Sequence, residues 1–277
     1  TGRDVSFSET ANILSTTDLN GDITYVNPDF IKISGFEECE LLGQHHNIVR
    51  HPDMPPEAFG DLWSSVRAGR SWMGMVKNRC KNGDHYWVSA FVTPISRNGK
   101  VVEYQSVRTK PQAAQVAAAE TLYAQLREKR PPAALRRSPL GVRSRVALLV
   151  ALGAASCAIG GALLGGASLV AAVAAAAAAT LGASVFAHMA LAPLQRLAAQ
   201  ARQVGDDAVG QLVYTGRRDE FGQISYAMKL LETEAGAMVG RIGDASRQLS
   251  MHARELVGAM DSSAQSASRQ QSETDQV

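Results

Sequence analysis

Arg50, His51 and Asp53 fall within one short loop, pinned by Pro52 and Pro55, and between them they can grip a phosphate or the polar edge of a ring. A guanidinium offers a fork of donors, an imidazole offers one or two more, and a carboxylate beside them can orient either through a charge-assisted hydrogen bond. The same three side chains also make sense as a loop ion pair held by the prolines, and residue types alone leave both readings open. Asn27 opens a helix and reads equally as an N-cap or as a ligand contact. His45 and His46 are consecutive and cannot share a helical face, so no metal pair is expected; one of them is a candidate axial ligand for haem. Cys39, Cys80 and Cys157 have no metal-ligand spacing, which excludes a zinc site or a disulfide framework. The chain has no nucleophile and base pair, no phosphate-cradling loop and no nicotinamide glycine fingerprint, so it reads as a binding protein and not an enzyme.

These residues need a scaffold, and from Ile13 to Thr109 the pattern predicts antiparallel strands. Asn20-Gly21, Asn82-Gly83 and Asn98-Gly99 mark three tight hairpins, because asparagine and glycine accept the positive φ that a two-residue turn demands. Each pair flanks β-branched or aromatic runs, Ile23 to Val26, Tyr86 to Val88 and Val101-Val102, giving five strands. Pro28 to Ser34, Glu37 to Leu42 and Pro56 to Arg67 are helical, the last by the spacing of Phe59, Leu62, Trp63 and Val66. On that spacing Trp63 is a core residue, and Trp87 beside Tyr86 is mainly a packing residue.

The stretches Ser15 to Leu19, Asn47 to Pro55 and Lys77 to Trp87 resemble the PAS domain of bacterial aerotaxis receptors over roughly the first 110 residues. The resemblance implies an α+β PAS fold, a five-stranded antiparallel sheet with helices, that holds FAD non-covalently and reports its redox state. It implies that Asn78 contacts the ring, with Trp72 just upstream on the same strand. Arg50, His51 and Asp53 then become candidates for the polar edge or the phosphate tail, and Asn27 for a further contact. Light-oxygen-voltage domains use flavin on a similar scaffold through a cysteine in the helix facing the ring. Asn47 to Pro55 has none, Cys39 comes too early and Cys80 lies on a strand, so redox change is the better signal.

From Val146 to Leu191 no acidic or strongly basic side chain occurs, a run of about 46 residues. As one helix it would be about 69 Å long, twice a bilayer core of roughly 30 Å, so it must fold back, and Gly165-Gly166-Ala167-Ser168 is the break of turn-like composition. Arg136, Arg137, Arg143 and Arg145 before the run, with Arg196 and Arg202 after it, place both flanks on the cytoplasmic side, and the resemblance implies that the membrane is a bacterial inner membrane. The whole chain carries 28 Lys and Arg against 26 Asp and Glu, so its small basic excess beside the apolar run points to lipid headgroups and not nucleic acid.

Between sensor and membrane, Gln112 to Lys129 reads as a helical spacer, solvated by default, with Leu122, Tyr123 and Leu126 available for packing. After the membrane run, Pro193 precedes a seam of Leu194, Leu197, Ala201 and Val204 ended by Gly205. A connector with Leu212, Val213 and Tyr214 follows, and Asp219-Glu220-Phe221-Gly222 opens a second helix. This unit resembles a HAMP domain, which implies a dimer. Phe221, Ile224, Met228, Leu231, Ala235, Met238, Ile242, Ala245, Leu249, His252, Leu256 and Ala259 continue as one coiled-coil seam.

The expected organisation is a PAS sensor over 1–110, a helical linker and basic juxtamembrane segment over 111–145, and a two-pass hairpin over 146–191. A HAMP domain over 192–240 and the start of a signalling coiled coil over 241–277 complete it. The expected function is a membrane-anchored redox and oxygen sensor, homodimeric, acting on a chemotaxis kinase and adaptor through a region beyond Val277. The alternative is a haem- or ligand-binding PAS module feeding a histidine kinase or nucleotide cyclase.

Overall fold

The computed structural model describes residues 2–136, 141–166 and 168–274, so Arg137, Ala167 and the last residues to Val277 lie outside the described residues. The N-terminal part runs β1 (Ile13–Thr17), β2 (Ile23–Val26), α1 (Pro28–Ser34), α2 (Glu38–Leu41), α3 (Pro56–Arg67), β3 (Trp72–Arg79), β4 (His85–Arg97) and β5 (Lys100–Thr109). The strands form one antiparallel sheet in the order β2-β1-β5-β4-β3. All three Asn-Gly pairs sit at hairpin turns; at Asn98-Gly99 both residues have positive φ, 52° and 75°, the mirror-image turn that matches strand twist.

Strand alternation gives the sheet two different faces. Ile13, Ser15, Val76, Val88 and Ala90 point inward, under α1 and α3. Met73, Met75, Trp87, Ser89 and Phe91 point outward, and they too are buried or partly buried. Their cover begins with α4 (Ala113–Arg127), on which Leu122, Tyr123 and Leu126 are buried and Tyr123 stacks on Trp87 at 6.1 Å between centroids. The linker helix is therefore packed, not a solvated spacer: its apolar residues meet a sheet face that would otherwise stay exposed.

Two apolar helices follow, α5 (Val142–Leu164) and α6 (Leu169–Ala190), packed along each other and joined next to Gly165, Gly166 and Ser168. At 1.5 Å per residue each is about 33 to 35 Å long, enough to cross a bilayer core. Leu148, Leu149, Leu152, Val170, Val173 and Leu181 are exposed around them, while Ala151, Ala172 and Ala176 are buried. Small residues let the two backbones approach.

The remaining helices are α7 (Ala192–Val204), α8 (Ala208–Thr215) and α9 (Glu220–Thr274). The connector expected around Leu212 to Tyr214 is the helix α8, started by the side chain of Asp207 on Val209 N at 2.8 Å and stopped by Gly216 in the left-handed conformation. At the foot of the hairpin, Glu220 accepts from the Val142 amide at 2.9 Å and so caps α5, and Arg143 donates to Gln195 of α7 at 2.6 Å. Gly141 lets the carboxylate come this close, since a Cβ would lie 2.2 Å from Glu220 Oε1 and the side chain would have to shift. The chain groups into two compact units, Thr1–Glu232 and Thr233–Val277.

Candidate functional site

The inner face of the sheet, α3 and the loop before it enclose a cavity of about 60 Å³. Val76, Ala90 and Val92 form its floor, Phe59, Leu62 and Trp63 of α3 its apolar wall, and Thr17, Tyr104, Ser106, His46 and Arg108 its polar side. Trp63 bridges the sheet and the β1–β2 turn: it meets Tyr104 edge-on at 5.8 Å, and a Cβ on Gly21 would lie 3.0 Å from its ring.

Arg108 is the most informative residue in the site. It is 2% exposed, and among the described residues no carboxylate pairs with it. Its guanidinium donates to Ser15 Oγ at 3.1 Å and to His46 Nε2 at 2.5 Å, and lies over the Phe30 ring. Burial pushes its pKa down to about 10, with Tyr86 opposing, so it stays a cation near neutrality. Burial, then Arg108 and His45, push His46 down to about 3, which leaves a neutral imidazole as acceptor. A buried cation balanced only by neutral groups attracts an anionic or electron-rich ligand edge.

Trp72 and Asn78 share the inner face with Val76 and are buried. Asn78 Nδ2, Trp72 Nε1 and, opposite on β5, Ser106 Oγ have no hydrogen-bond partner among the described residues. A buried polar group without a partner is costly; Trp72 and Ser106 are aligned across β4, and Asn78 lies further along the same face near the end of β3. The Trp72 indole lies flat over Gly74, where a Cβ would stand 2.2 Å from the ring.

The loop residues are brought to the edge of β3 instead of into the cavity. Arg50 pairs in backbone register with Asn78, donates to the Met54 carbonyl at 3.4 Å and stacks over Phe59 at 4.1 Å, one side chain behind the cavity wall. His51 is held low by burial and then by Lys77, and packs edge-on against His85. Asp53 pairs first with Lys77 at 2.7 Å and more loosely with His51 at 3.5 Å, and the Lys77 hydrogen bond lowers its pKa. Asn27 is a structural hub: it accepts from Leu14 N at 3.0 Å and Phe30 N at 3.1 Å and donates to the Asn12 carbonyl at 2.6 Å. Trp87 faces outward, and His45 is exposed, accepting from Asn47 N at 3.2 Å.

Residues 23–108 match the family model described as the PAS fold. This segment is a PAS domain. Over 123 residues, 44% of its length, the chain is 47% identical to an aerotaxis receptor of Escherichia coli (strain K12), covering 24% of that receptor. A nitrogen fixation regulatory protein of Klebsiella pneumoniae is 27% identical over 34% of this chain and 19% of its own length. A solved light-oxygen-voltage domain, from work on a flavin analogue, is 21% identical over 42% of this chain and 88% of that chain, with a TM-score of 0.37. The chain spans about a quarter or less of the curated relatives it matches.

The PAS cavity fits a planar heteroaromatic ligand in kind. Aromatic and aliphatic walls, amide and hydroxyl groups without partners, and a buried guanidinium are the set such a ring needs. In size it is small, since about 60 Å³ holds only a water or two against the several hundred of a typical ligand pocket. Ring entry requires the wall to open, and Trp63 is the bulkiest group lining it.

Proposed function

We propose that this chain is a membrane-anchored redox and oxygen sensor that binds FAD in its PAS domain. The observation that carries the reading is the buried Arg108 in a cavity that Ser106 also lines, on the sheet face that Trp72 and Asn78 share. It lies in a domain 47% identical to part of an aerotaxis receptor. When bound, FAD supplies a reversible two-electron centre whose charge and hydrogen-bonding edge change on reduction. His46 and Ser15 hold Arg108, which would stabilise negative charge at that edge, and the amide of Asn78 would serve as a donor or acceptor for the ring.

The route outward runs through β3. Trp72 and Asn78 face the ligand from a strand whose outward backbone groups are held by other elements: Tyr226 donates to Met73 O at 3.0 Å, Tyr123 to Met75 O at 2.7 Å, and His51 N to Lys77 O at 3.4 Å. A shift of Asn78 therefore changes the seat of α4, of the head of α9 and of the Asn47 to Pro55 loop together. A bias of a few kcal/mol is enough to move a two-state element.

In this reading α7 and the first part of α9, over 192–240, form a HAMP unit, α5 and α6 cross a bacterial inner membrane, and both termini are cytoplasmic. Phe221, Met228, Leu231, Met238, Ile242, Leu249 and Leu256 are exposed along α9, which supports pairing of this stripe with a second copy and continuation to a chemotaxis kinase and adaptor. The test is a visible spectrum of the full chain purified in detergent. The two-band spectrum of oxidised flavin, bleached by dithionite, is expected, with FAD as the extracted species. A single Soret band, or a colourless protein that takes up no FAD, overturns the assignment.

A further inference from the structure

Asp207 is a carboxylate buried where the C-terminal helices meet the PAS sheet. It is 8% exposed, although it belongs to a polar helix start that water would normally reach. The α8 helix that it caps packs on β3 and α4, and at this contact Tyr214 shares a hydrogen bond with Ser89 Oγ at 2.6 Å while Tyr226 reaches Met73. The packing leaves no slack. A Cβ on Gly210 would lie 2.7 Å from Asp207 Oδ2 and 2.9 Å from the Tyr226 hydroxyl.

The groups that face Asp207 come from every element around it. Asp61 lies on α3, Tyr123 on α4, Tyr214 on α8, Arg218 in the turn before α9 and Tyr226 on α9. Only Arg218 favours the carboxylate, and it also holds Gln211 Oε1 at 3.2 Å. Asp61 repels it and the three tyrosines are neutral. The backbone donors are those of the cap itself, so they are available whether or not α8 is docked. Burial, reinforced by Asp61, raises the carboxyl to about 6, against the ordinary value of 3.8.

We propose that protonation of Asp207 strengthens the docking of α8 and the head of α9 on the outer face of the PAS sheet, so that this contact tightens on acidification. Undocked, Asp207 returns to water and ionises in the ordinary carboxylate range. Docked, it holds its proton more firmly, so docking is fully favoured below about 4 and the advantage is lost as pH rises through about 6. The inference goes beyond the redox reading and does not depend on which cofactor the cavity takes.

The test is a distance measurement on the full chain in lipid nanodiscs. Spin labels at Arg97→Cys and Ser225→Cys, with Cys39 and Cys157 replaced by serine, report docked and undocked populations by pulsed electron resonance in samples frozen from pH 7.5 and pH 5.0. The docked-to-undocked ratio is expected to rise about tenfold at the lower pH, the effect of one proton between about 6 and 5. Asp207→Asn keeps a good N-cap without the charge and is expected to hold the high ratio at both values. A ratio that does not change with pH, or an Asp207→Asn variant that follows the original pH curve, overturns the proposal.

Discussion

The Tyr226 hydroxyl donates to the Met73 carbonyl across 3.0 Å, joining residues 153 positions apart. β3 is an edge strand, and Met73, Met75 and Lys77 are three of its outward-pointing residues. The carbonyls of all three are taken, by Tyr226, Tyr123 and the His51 amide, and the Lys77 amide donates to Met54 Sδ at 3.2 Å. One strand edge thus gathers the linker helix, the long C-terminal helix and the loop bearing Arg50, His51 and Asp53.

Replacing Tyr226 by phenylalanine removes the hydroxyl and keeps the ring. Docking is expected to weaken by about 1–2 kcal/mol, the cost of leaving a buried carbonyl without its donor. Hydrogen exchange at fixed pH should show amides of β3 opening roughly five- to thirtyfold faster. Exchange equal to that of the unmodified chain would contradict this role for Tyr226.

Asn78→Ala and Arg108→Met are expected to lower flavin retention in purified protein, the first by about tenfold and the second by more, because it removes a charge-assisted contact. Far-ultraviolet circular dichroism should remain that of the folded chain. Asn27→Ala has a different signature: it costs about 1–2 kcal/mol of stability through the lost cap. Full flavin content in both Asn78 and Arg108 variants would remove those two from the site.

Gly74→Ala places a methyl where the Trp72 ring lies, 2.2 Å from its nearest atom. The indole must leave its place on the floor, and a red shift in the fluorescence of a variant retaining only this tryptophan would report it. If the spectrum stays unchanged, the tight seat of Trp72 over Gly74 is wrong.

His46 makes global stability pH-dependent with a sign opposite to that of the Asp207 contact. Its pKa is depressed in the folded chain to about 3 from 6.5, so its contribution is complete above about 6.5 and is lost as pH falls towards 3. The slope approaches about 1.4 kcal/mol per pH unit in that window. Urea unfolding of the PAS core at pH 7.5, 6 and 5 should show it, and His46→Gln, which keeps an acceptor for Arg108, should flatten it.

Hairpins and helices near the site were legible because their signals are local. Asn-Gly pairs need only their own φ values, and Phe59, Leu62, Trp63 and Val66 reveal the buried side of α3. Arg108 was missed because its meaning is tertiary: in sequence it is one charged residue in Val107-Arg108-Thr109. Only the placement of β5 between β1 and β4 carries it into the middle of the inner face. Its shared parity with Tyr104 and Ser106 was the available clue. The loop of Arg50, His51 and Asp53 drew attention through charge density, yet the structure gives Asp53 to Lys77, a strand residue 24 positions away.

On α9 the heptad pattern found one stripe, Phe221, Met228 and Leu231, and the structure buries another, Gln223, Tyr226, Ala227 and Leu230. Both have helical spacing, and one position of offset separates them. The small residues opposite the buried stripe were the missed signal: a Cβ on Gly205 would lie 2.8 Å from Leu230, and Gly210 meets Tyr226. Helix α8 was hidden by Leu212-Val213-Tyr214, which reads as an extended connector, although Asp207 and Gly216 bracket it as caps.

An edge strand with free carbonyls is a template on which foreign strands add, and the charges of β3, Lys77 and Arg79, stand only at its far end, leaving Trp72 to Val76 apolar. The tyrosines at 123 and 226 occupy that template with side chains that cannot propagate a sheet. The helices that carry them therefore also guard solubility: a PAS domain cut free before Tyr123 would expose an adhesive border that the full chain keeps closed.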